Sequence, residues 1–177
     1  MEIVAINDLG NIENLAYLLK FDSLYGRFDE EISIEGNKLV IGKKRILVLQ
    51  EKDPNKLPWR ELKIDVVIES TGIFESFDTA SQHLTAGAKR VVITAPVKDN
   101  ERANARTVLM GVNEEQFALC GITSNGSCTT NAVSPVASIM YMTVVIEKAL
   151  LNTVHAYTTT QNLVDGPVKG KDFRRGR

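Results

Sequence analysis

The sequence predicts an α/β protein whose parallel β-sheet is covered by helices on both faces. Short apolar runs alternate with segments of helical spacing along the first two thirds of the chain. Each run is almost wholly apolar, as expected of strands buried on both faces. Polar residues follow the runs at Asp8, at 70–72 and at Thr94. Ligands bind at that edge of open parallel sheets.

The predicted elements are short and are bounded by turn residues or capping residues. The first strand covers 2–8, and the first helix surrounds 15–19 with Asn11 or Asn14 as its cap. Glycine turns then separate three strands, which predicts a small antiparallel excursion. The strands of this excursion cover 32–35, 39–41 and 46–50. They are followed, in chain order, by a strand at 64–70, a helix at 76–86, strands at 90–94 and 107–112, a helix at 132–142 and a strand at 150–157.

Composition narrows the function classes. The 177 residues are 44% apolar and 24% charged with a net charge of −1, which gives no support to a nucleic-acid or acidic-membrane partner. The two cysteines, Cys120 and Cys128, have neither metal-like nor disulfide-framework spacing. Without a secretory leader or an apolar run near 18 residues, the sequence predicts a protein of a reducing, intracellular compartment.

Cys128 is the strongest candidate for chemistry. It lies among hydroxyl and amide side chains, just before an apolar run that reads as a helix whose Pro135 is tolerable only near the start. Helix-end amides and a nearby imidazolium activate a thiol as a nucleophile. A buried structural cysteine is the alternative, and we assign that role to Cys120.

Three of four further features have competing interpretations. His155, in the predicted last strand, is either a structural histidine or a general base paired with the thiol. His83 reads as a surface residue of its helix. Asp8 is suited to bind ribose hydroxyls, although the chain contains no Gly-x-Gly before it and acids often end strands. The basic segment 169–177 is a solvated tail or an anion-binding loop.

The motif Ser-Asn-Gly-Ser-Cys-Thr-Thr-Asn at 124–131 and His-Ala-Tyr-Thr at 155–158 resemble the active-site motifs of phosphorylating glyceraldehyde-3-phosphate dehydrogenases. Alanine usually stands in that family where this chain has Gly126. Further similar motifs, in register over nearly the whole chain, lie at 7–8, 20–28, 69–74, 110–113 and 164–167.

The resemblance implies an incomplete Rossmann-like parallel sheet and the start of a second, α+β catalytic domain. Residues 1–126 would form an NAD-binding domain without its first strand and helix, and 127–177 would begin the catalytic domain. Cys128 would attack the aldehyde, with His155 as base and oxyanion donor, and the resulting thioester would yield an acyl phosphate. The implied cofactor is NAD, bound by Asn7, Asp8, Lys52, Ser70, Thr71, Gly72 and Thr94. The implied substrate-binding residues are Ser127, Cys128, Thr129 and Thr158.

The resemblance also implies a cytoplasmic glycolytic enzyme that oxidises glyceraldehyde 3-phosphate to 1,3-bisphosphoglycerate. Its partners would be a sugar phosphate, inorganic phosphate and other copies of itself, as in the family's tetramers, and no metal is implied. Because the family's chains are nearly twice as long, we expect this chain to be inactive alone. Lys52 stands where the family usually has arginine, and Ala132 replaces a frequent second cysteine. Erythrose-4-phosphate dehydrogenase and a non-catalytic remnant that binds a nucleotide or a partner are the alternatives.

Overall fold

The chain contains two compact units, each with its own sheet. The computed structural model describes residues 1–157 and Gly166. The first unit comprises residues 1–52 with the described part of 154–177, and the second comprises residues 53–153. Thr158 and the whole of the basic segment 169–177 singled out in the sequence lie outside the described residues.

The first unit has a mixed four-stranded sheet beside one helix. Its elements are β1 (Ala5–Asn7), α1 (Ile12–Lys20), β2 (Phe21–Asp22), β3 (Gly26–Arg27), β4 (Ile32–Glu35), β5 (Lys38–Ile41) and β6 (Lys44–Leu49). The sheet order is β1-β6-β5-β4, and β2 pairs with β3 in a separate ribbon. β1 runs parallel to β6 with Asn7 opposite Leu49, whereas β4, β5 and β6 are antiparallel.

Local chemistry explains these elements. Asn11, one of the two predicted caps, begins α1, and its side chain accepts the backbone N–H groups of Glu13 and Asn14. Gly36 and Gly42 adopt φ angles of 61° and 56°, which other residues rarely adopt. The predicted antiparallel excursion is therefore confirmed.

The second unit has a sheet of four parallel strands. Its elements are β7 (Val66–Glu69), α2 (Phe77–Ala80), α3 (Gln82–Thr85), β8 (Arg90–Ile93), β9 (Ala105–Thr107), β10 (Ile122–Ser124) and α4 (Cys128–Thr143), with 3-10 helices at Pro54–Lys56 and Glu114–Leu119. The order β7-β8-β10-β9 is parallel throughout. Its core comprises Phe77, Ala80, Val91, Ile93, Ala105 and Ile122. The predicted parallel α/β sheet is therefore confirmed.

The prediction that both faces of the sheet are covered is wrong for β7. Val66 and Ile68 are 44% and 55% exposed, whereas Val67 and Glu69 between them are buried. β7 is an edge strand of its sheet. Its residues alternate between a packed face and an exposed face, because successive side chains of a strand point to opposite sides.

Two predicted strands are not observed as predicted. The strand expected at 107–112 ends at Thr107, because the Asn113 side chain accepts the Leu109 N–H and donates to the Thr107 carbonyl. Described residues 150–157 form no strand. Leu150 and Val154 there are 96% and 98% exposed, and a strand requires a hydrogen-bonded neighbour.

The helix predictions need two changes. Residues 76–86 form two short helices that meet at Ser81 instead of one. The last helix begins at Cys128, four residues earlier than predicted, because Ser127 caps it there. Pro135 consequently lies inside the helix, contrary to expectation, where it cannot donate to the Asn131 carbonyl. Among the described residues no helix has the length and apolar character of a membrane span.

Candidate active site

The loop between β10 and α4 carries the candidate nucleophile to the carboxyl end of the parallel sheet. The Asn125 N–H donates to the Ile93 carbonyl at 2.8 Å, and the buried Ser124 hydroxyl donates to the Ala95 carbonyl at 2.7 Å. Gly126 then turns the chain with a φ of 66°. The loop is thereby fixed beside the end of β8, and Cys128 begins α4 with its side chain exposed.

Side chains around Cys128 complete the start of α4. The Ser127 hydroxyl accepts the Thr130 N–H at 3.0 Å and lies 2.7 Å from the Thr130 hydroxyl. The Asn131 amide donates to the carbonyls of Asn125 and Ser127 at 2.6 and 2.9 Å. The first turn of a 16-residue helix favours negative charge. This position therefore suits a reactive thiolate.

Cys120 differs from Cys128 in its surroundings. It lies just before β10 and is buried, whereas Cys128 is exposed. A buried cysteine in apolar surroundings behaves as a small apolar residue. The burial agrees with the structural role that the sequence indicates for Cys120.

His155 is an exposed residue of the first unit, whereas Cys128 belongs to the second. The Nδ1 atom of its ring lies 2.5 Å from the Ala156 carbonyl oxygen. Because a carbonyl oxygen only accepts, Nδ1 carries the proton in this contact. In the neutral ring Nε2 then has the lone pair, which is the form that a general base requires.

In the first unit, the predicted cofactor residues gather at the ends of two adjacent parallel strands. Asp8 follows β1 with an exposed carboxylate, whose Oδ1 accepts the Gly10 N–H at 2.6 Å. Asn7 joins β1 to the chain after β6, because its amide exchanges two 2.9 Å hydrogen bonds with the Glu51 backbone. Exposed Lys52 is the next residue. A charged acceptor at a parallel strand end suits ribose hydroxyls.

In the second unit, the other predicted cofactor residues lie at the ends of β7 and β8. Ser70, Thr71 and Gly72 follow β7, and Gly72 has a φ of 69°. Thr94 follows β8, and its N–H donates to the Glu69 carbonyl at 3.0 Å. The structure thus places this group and the Cys128 loop at the same edge of one parallel sheet. The residues present fit a nucleotide cofactor, which binds at that edge.

The sequence prediction that His83 is a surface residue is wrong. The His83 side chain is buried, with its Nδ1 3.0 Å from Trp59 Nε1 and its Nε2 3.0 Å from Glu69 Oε2. The available signal was its helical spacing, because His83 lies three residues after Ala80 on the buried side. Sequence reasoning did not identify Glu69 and Trp59 as partners of His83, because both are distant from it in sequence.

Comparison with known proteins identifies the family that the chain resembles. Residues 1–77 match the family model described as the NAD binding domain of glyceraldehyde 3-phosphate dehydrogenase, and residues 127–177 match its C-terminal domain. Over the whole chain, a Kluyveromyces marxianus glyceraldehyde-3-phosphate dehydrogenase 2 is 49% identical, a cytosolic one from Trypanosoma brucei brucei is 48% identical and one from Geobacillus stearothermophilus is 44% identical. The chain spans 52% of each of these relatives.

The fold and these matches define a Rossmann-type α/β protein with an NAD-binding domain. More particularly, the chain belongs to the glyceraldehyde-3-phosphate dehydrogenase family, whose members are NAD-dependent oxidoreductases. It covers about half the length of the curated relatives it matches.

Proposed function

We propose that this chain is part of an NAD-dependent enzyme that oxidises and phosphorylates glyceraldehyde 3-phosphate in glycolysis. The observation that carries the proposal is the exposed thiol of Cys128 at the first position of α4, beside the carboxyl edge of a parallel sheet. The relatives' names and the two family models support the same activity.

The chemistry divides between two side chains of this chain. The Cys128 thiolate attacks the aldehyde carbon, and the oxyanion that forms takes a proton from the protonated His155 ring to give a hemithioacetal. His155 takes up the hydroxyl proton and stabilises the oxyanion. Bound NAD would supply the hydride acceptor for the same carbon, which becomes a thioester on Cys128. Inorganic phosphate then displaces the thiolate and leaves as the acyl phosphate, so Cys128 is regenerated.

Substrate phosphate groups require hydroxyl and amide donors near the thiol. We assign the binding of these phosphate groups to Ser127, Thr129 and Thr158. Ser127 and Thr129 flank Cys128 at the start of α4, where helix amides favour anions. Thr158 lies outside the described residues, and its role rests on the motif that begins at His155.

For the cofactor, we propose that Asn7, Asp8 and Lys52 hold one part and that Ser70–Gly72 and Thr94 hold another. Asp8 carries the choice between cofactors, because a carboxylate accepts from a ribose 2′-hydroxyl and repels a 2′-phosphate. Its exposure and its position at the end of β1 support this role. NAD is thus preferred over NADP.

We also propose that residues 1–126 are the cofactor domain and that 127–177 begin the catalytic domain. The start of the C-terminal family model at residue 127 supports this boundary. A cytoplasmic location is supported by the relative named cytosolic, and oligomer formation remains a proposal from the resemblance.

We expect the chain to be inactive or nearly so by itself. His155 lies on a described segment that forms no strand, and misplacement of a catalytic group by 1 Å can cost about a hundredfold in rate.

The test measures how ligands protect Cys128 from iodoacetamide, with mass spectrometry to locate the label. Glyceraldehyde 3-phosphate is expected to protect Cys128 at lower concentrations than unphosphorylated glyceraldehyde does, because the phosphate adds contacts at Ser127 and Thr129. Cys128→Ser is the control for the site of labelling. Equal protection by the two aldehydes would contradict a phosphate-binding site, and stronger protection by erythrose 4-phosphate would favour the tetrose enzyme.

A further inference from the structure

A chain of buried polar groups lies beneath the carboxyl end of β7. The Trp59 indole Nε1 lies 3.0 Å from His83 Nδ1, and His83 Nε2 lies 3.0 Å from Glu69 Oε2. The other Glu69 oxygen, Oε1, accepts the Thr71 N–H at 2.7 Å and the Thr71 hydroxyl at 2.5 Å. His83 and Glu69 are only 4% and 5% exposed. Neither His83 nor Trp59 belongs to the proposed active site.

The Trp59 indole determines the direction of the two hydrogen bonds made by the His83 ring. An indole N–H can only donate, so Nδ1 of His83 accepts and the ring proton of the neutral form lies on Nε2. Nε2–H therefore donates to Glu69. The Thr71 hydroxyl also donates to Glu69, because an ionised carboxylate can only accept, and the same hydroxyl oxygen accepts the Ile73 N–H at 3.2 Å.

Three hydrogen-bond donors thus converge on the carboxylate of Glu69. The ionised form suits this arrangement, because it has no proton and can accept all three bonds. Burial raises the pKa of Glu69, but the hydrogen bonds from His83 and Thr71 outweigh it and hold that pKa below its usual value. Glu69 is the charged group in contact with the His83 ring, and the rings of Trp59 and Phe74 pack at centroid distances of 6.3 and 6.2 Å.

The Glu69 carboxylate also holds the backbone turn that follows β7 in place. Both the main chain and the side chain of Thr71 are attached to Glu69, and Gly72 follows with a φ of 69°. If Glu69 rotated away, the Thr71 N–H would lose its acceptor. His83 and Trp59 prevent that rotation by holding the second carboxylate oxygen.

We propose that His83 is a positioning residue for the cofactor end of β7, acting through Glu69 to keep the Ser70–Gly72 turn in its observed conformation before cofactor arrives. This inference rests on the proposed function, because it assigns that turn to NAD binding. Trp59 sets the His83 tautomer, so Trp59 also contributes to the position of this turn.

Two substitutions of His83 separate positioning from general stability. His83→Gln retains one acceptor and one donor, whereas His83→Leu removes both. Amide hydrogen exchange in the 177-residue chain is measured at Thr71, with the Asn125 amide, bonded to Ile93 in the same unit, as the internal reference. His83→Leu is expected to accelerate exchange at Thr71 at least tenfold relative to Asn125, and His83→Gln to restore most of the protection.

The single tryptophan gives a second readout. His83→Leu removes the acceptor of the Trp59 N–H, so it is expected to shift Trp59 emission relative to wild type at constant pH. His83→Gln retains an acceptor and is expected to shift the emission less. If His83→Leu does not fold, Trp59→Phe replaces it, because it keeps an aromatic ring and removes the N–H donor; Thr71 exchange is then expected to rise severalfold.

NAD titration of the same samples distinguishes the two proposals. His83→Leu is expected to weaken NAD binding about tenfold relative to wild type. Failure of wild type to bind NAD would contradict the proposed function, and the exchange data would still decide whether His83 fixes the turn. An unchanged ratio of Thr71 to Asn125 exchange in His83→Leu, or in Trp59→Phe, would overturn the positioning role.

Discussion

The His83 imidazole lies 3.0 Å from the Glu69 carboxylate, with both side chains buried. The contact joins α3 to the end of β7 across 14 residues of sequence. Each buried polar group that loses such a hydrogen-bond partner lowers the free energy of unfolding by about 1–3 kcal/mol. The end of β7 therefore depends on a contact that involves none of the residues predicted from the active-site motifs.

Glu69→Gln is expected to lower the free energy of unfolding by about 1–3 kcal/mol at neutral pH, because glutamine cannot accept from three donors. The pKa of Glu69 is lower in the folded chain than its ordinary value of 4.5. Its stabilising contribution is therefore fully present above that value and is lost as pH falls through the folded pKa. Urea unfolding at pH 7 and at progressively lower pH should show the gap between wild type and Glu69→Gln closing on acidification.

Glu35→Gln is the control for that titration, because Glu35 pairs with Arg45 at the exposed surface. Such pairs contribute about 0–1 kcal/mol. A gap between wild type and Glu69→Gln that stays constant with pH would contradict the ionised state assigned to Glu69.

Ser127→Ala is expected to destabilise the chain by about 1 kcal/mol, because it removes the hydroxyl that caps α4. Ser138→Ala makes the same change inside the helix, where alanine is the better helix former, and should be neutral or stabilising. The measurement is the urea midpoint at unchanged m-value. Equal midpoints for the two variants would contradict the capping role.

Gly126→Ala is expected to cost about 1–2 kcal/mol from its left-handed backbone alone. The added Cβ would also lie 3.3 Å from Thr130 Cγ2, so the Thr130 side chain would have to move by a few tenths of an ångström. Gly36→Ala is the matched control, with a φ of 61° and no atom within 4 Å of the added Cβ. Thermal unfolding should show the larger loss at Gly126; a larger loss at Gly36 would exclude the contact with Thr130.

Asp8→Asn is expected to reduce the preference for NAD over NADP about tenfold, because it removes a charge while retaining an oxygen for the Gly10 N–H. Titration with each cofactor gives the ratio of dissociation constants. Asp29→Asn, at another exposed acid of the same unit, should leave the ratio unchanged. If Asp8→Asn also leaves it unchanged, Asp8 does not select the cofactor.

Local signals predicted part of the fold correctly. Asn11 as a cap and the glycines at 36 and 42 depend on their neighbours in sequence, and the structure uses all three as expected. The small hydroxyl residues before Cys128 likewise predicted a thiol at a helix start, which is observed.

The incorrect sequence predictions concern features that are determined by residues distant in sequence. His83 is buried because Trp59, 24 residues earlier, packs against it. The apolar pattern at 150–157 suits a strand, but pairing requires a neighbour that no local pattern specifies. The exposed face of β7 likewise depends on its edge position in the sheet and not on its own composition.

The most direct test of the account is the pH dependence of Cys128 alkylation by iodoacetamide in the 177-residue chain, followed by mass spectrometry with Cys128→Ser as the labelling control. Ser127→Ala, which weakens the start of α4, is expected to raise the midpoint. The wild-type midpoint is expected to lie below the value near 8.5 of an ordinary thiol. A midpoint at or above that value would contradict an activated nucleophile at Cys128.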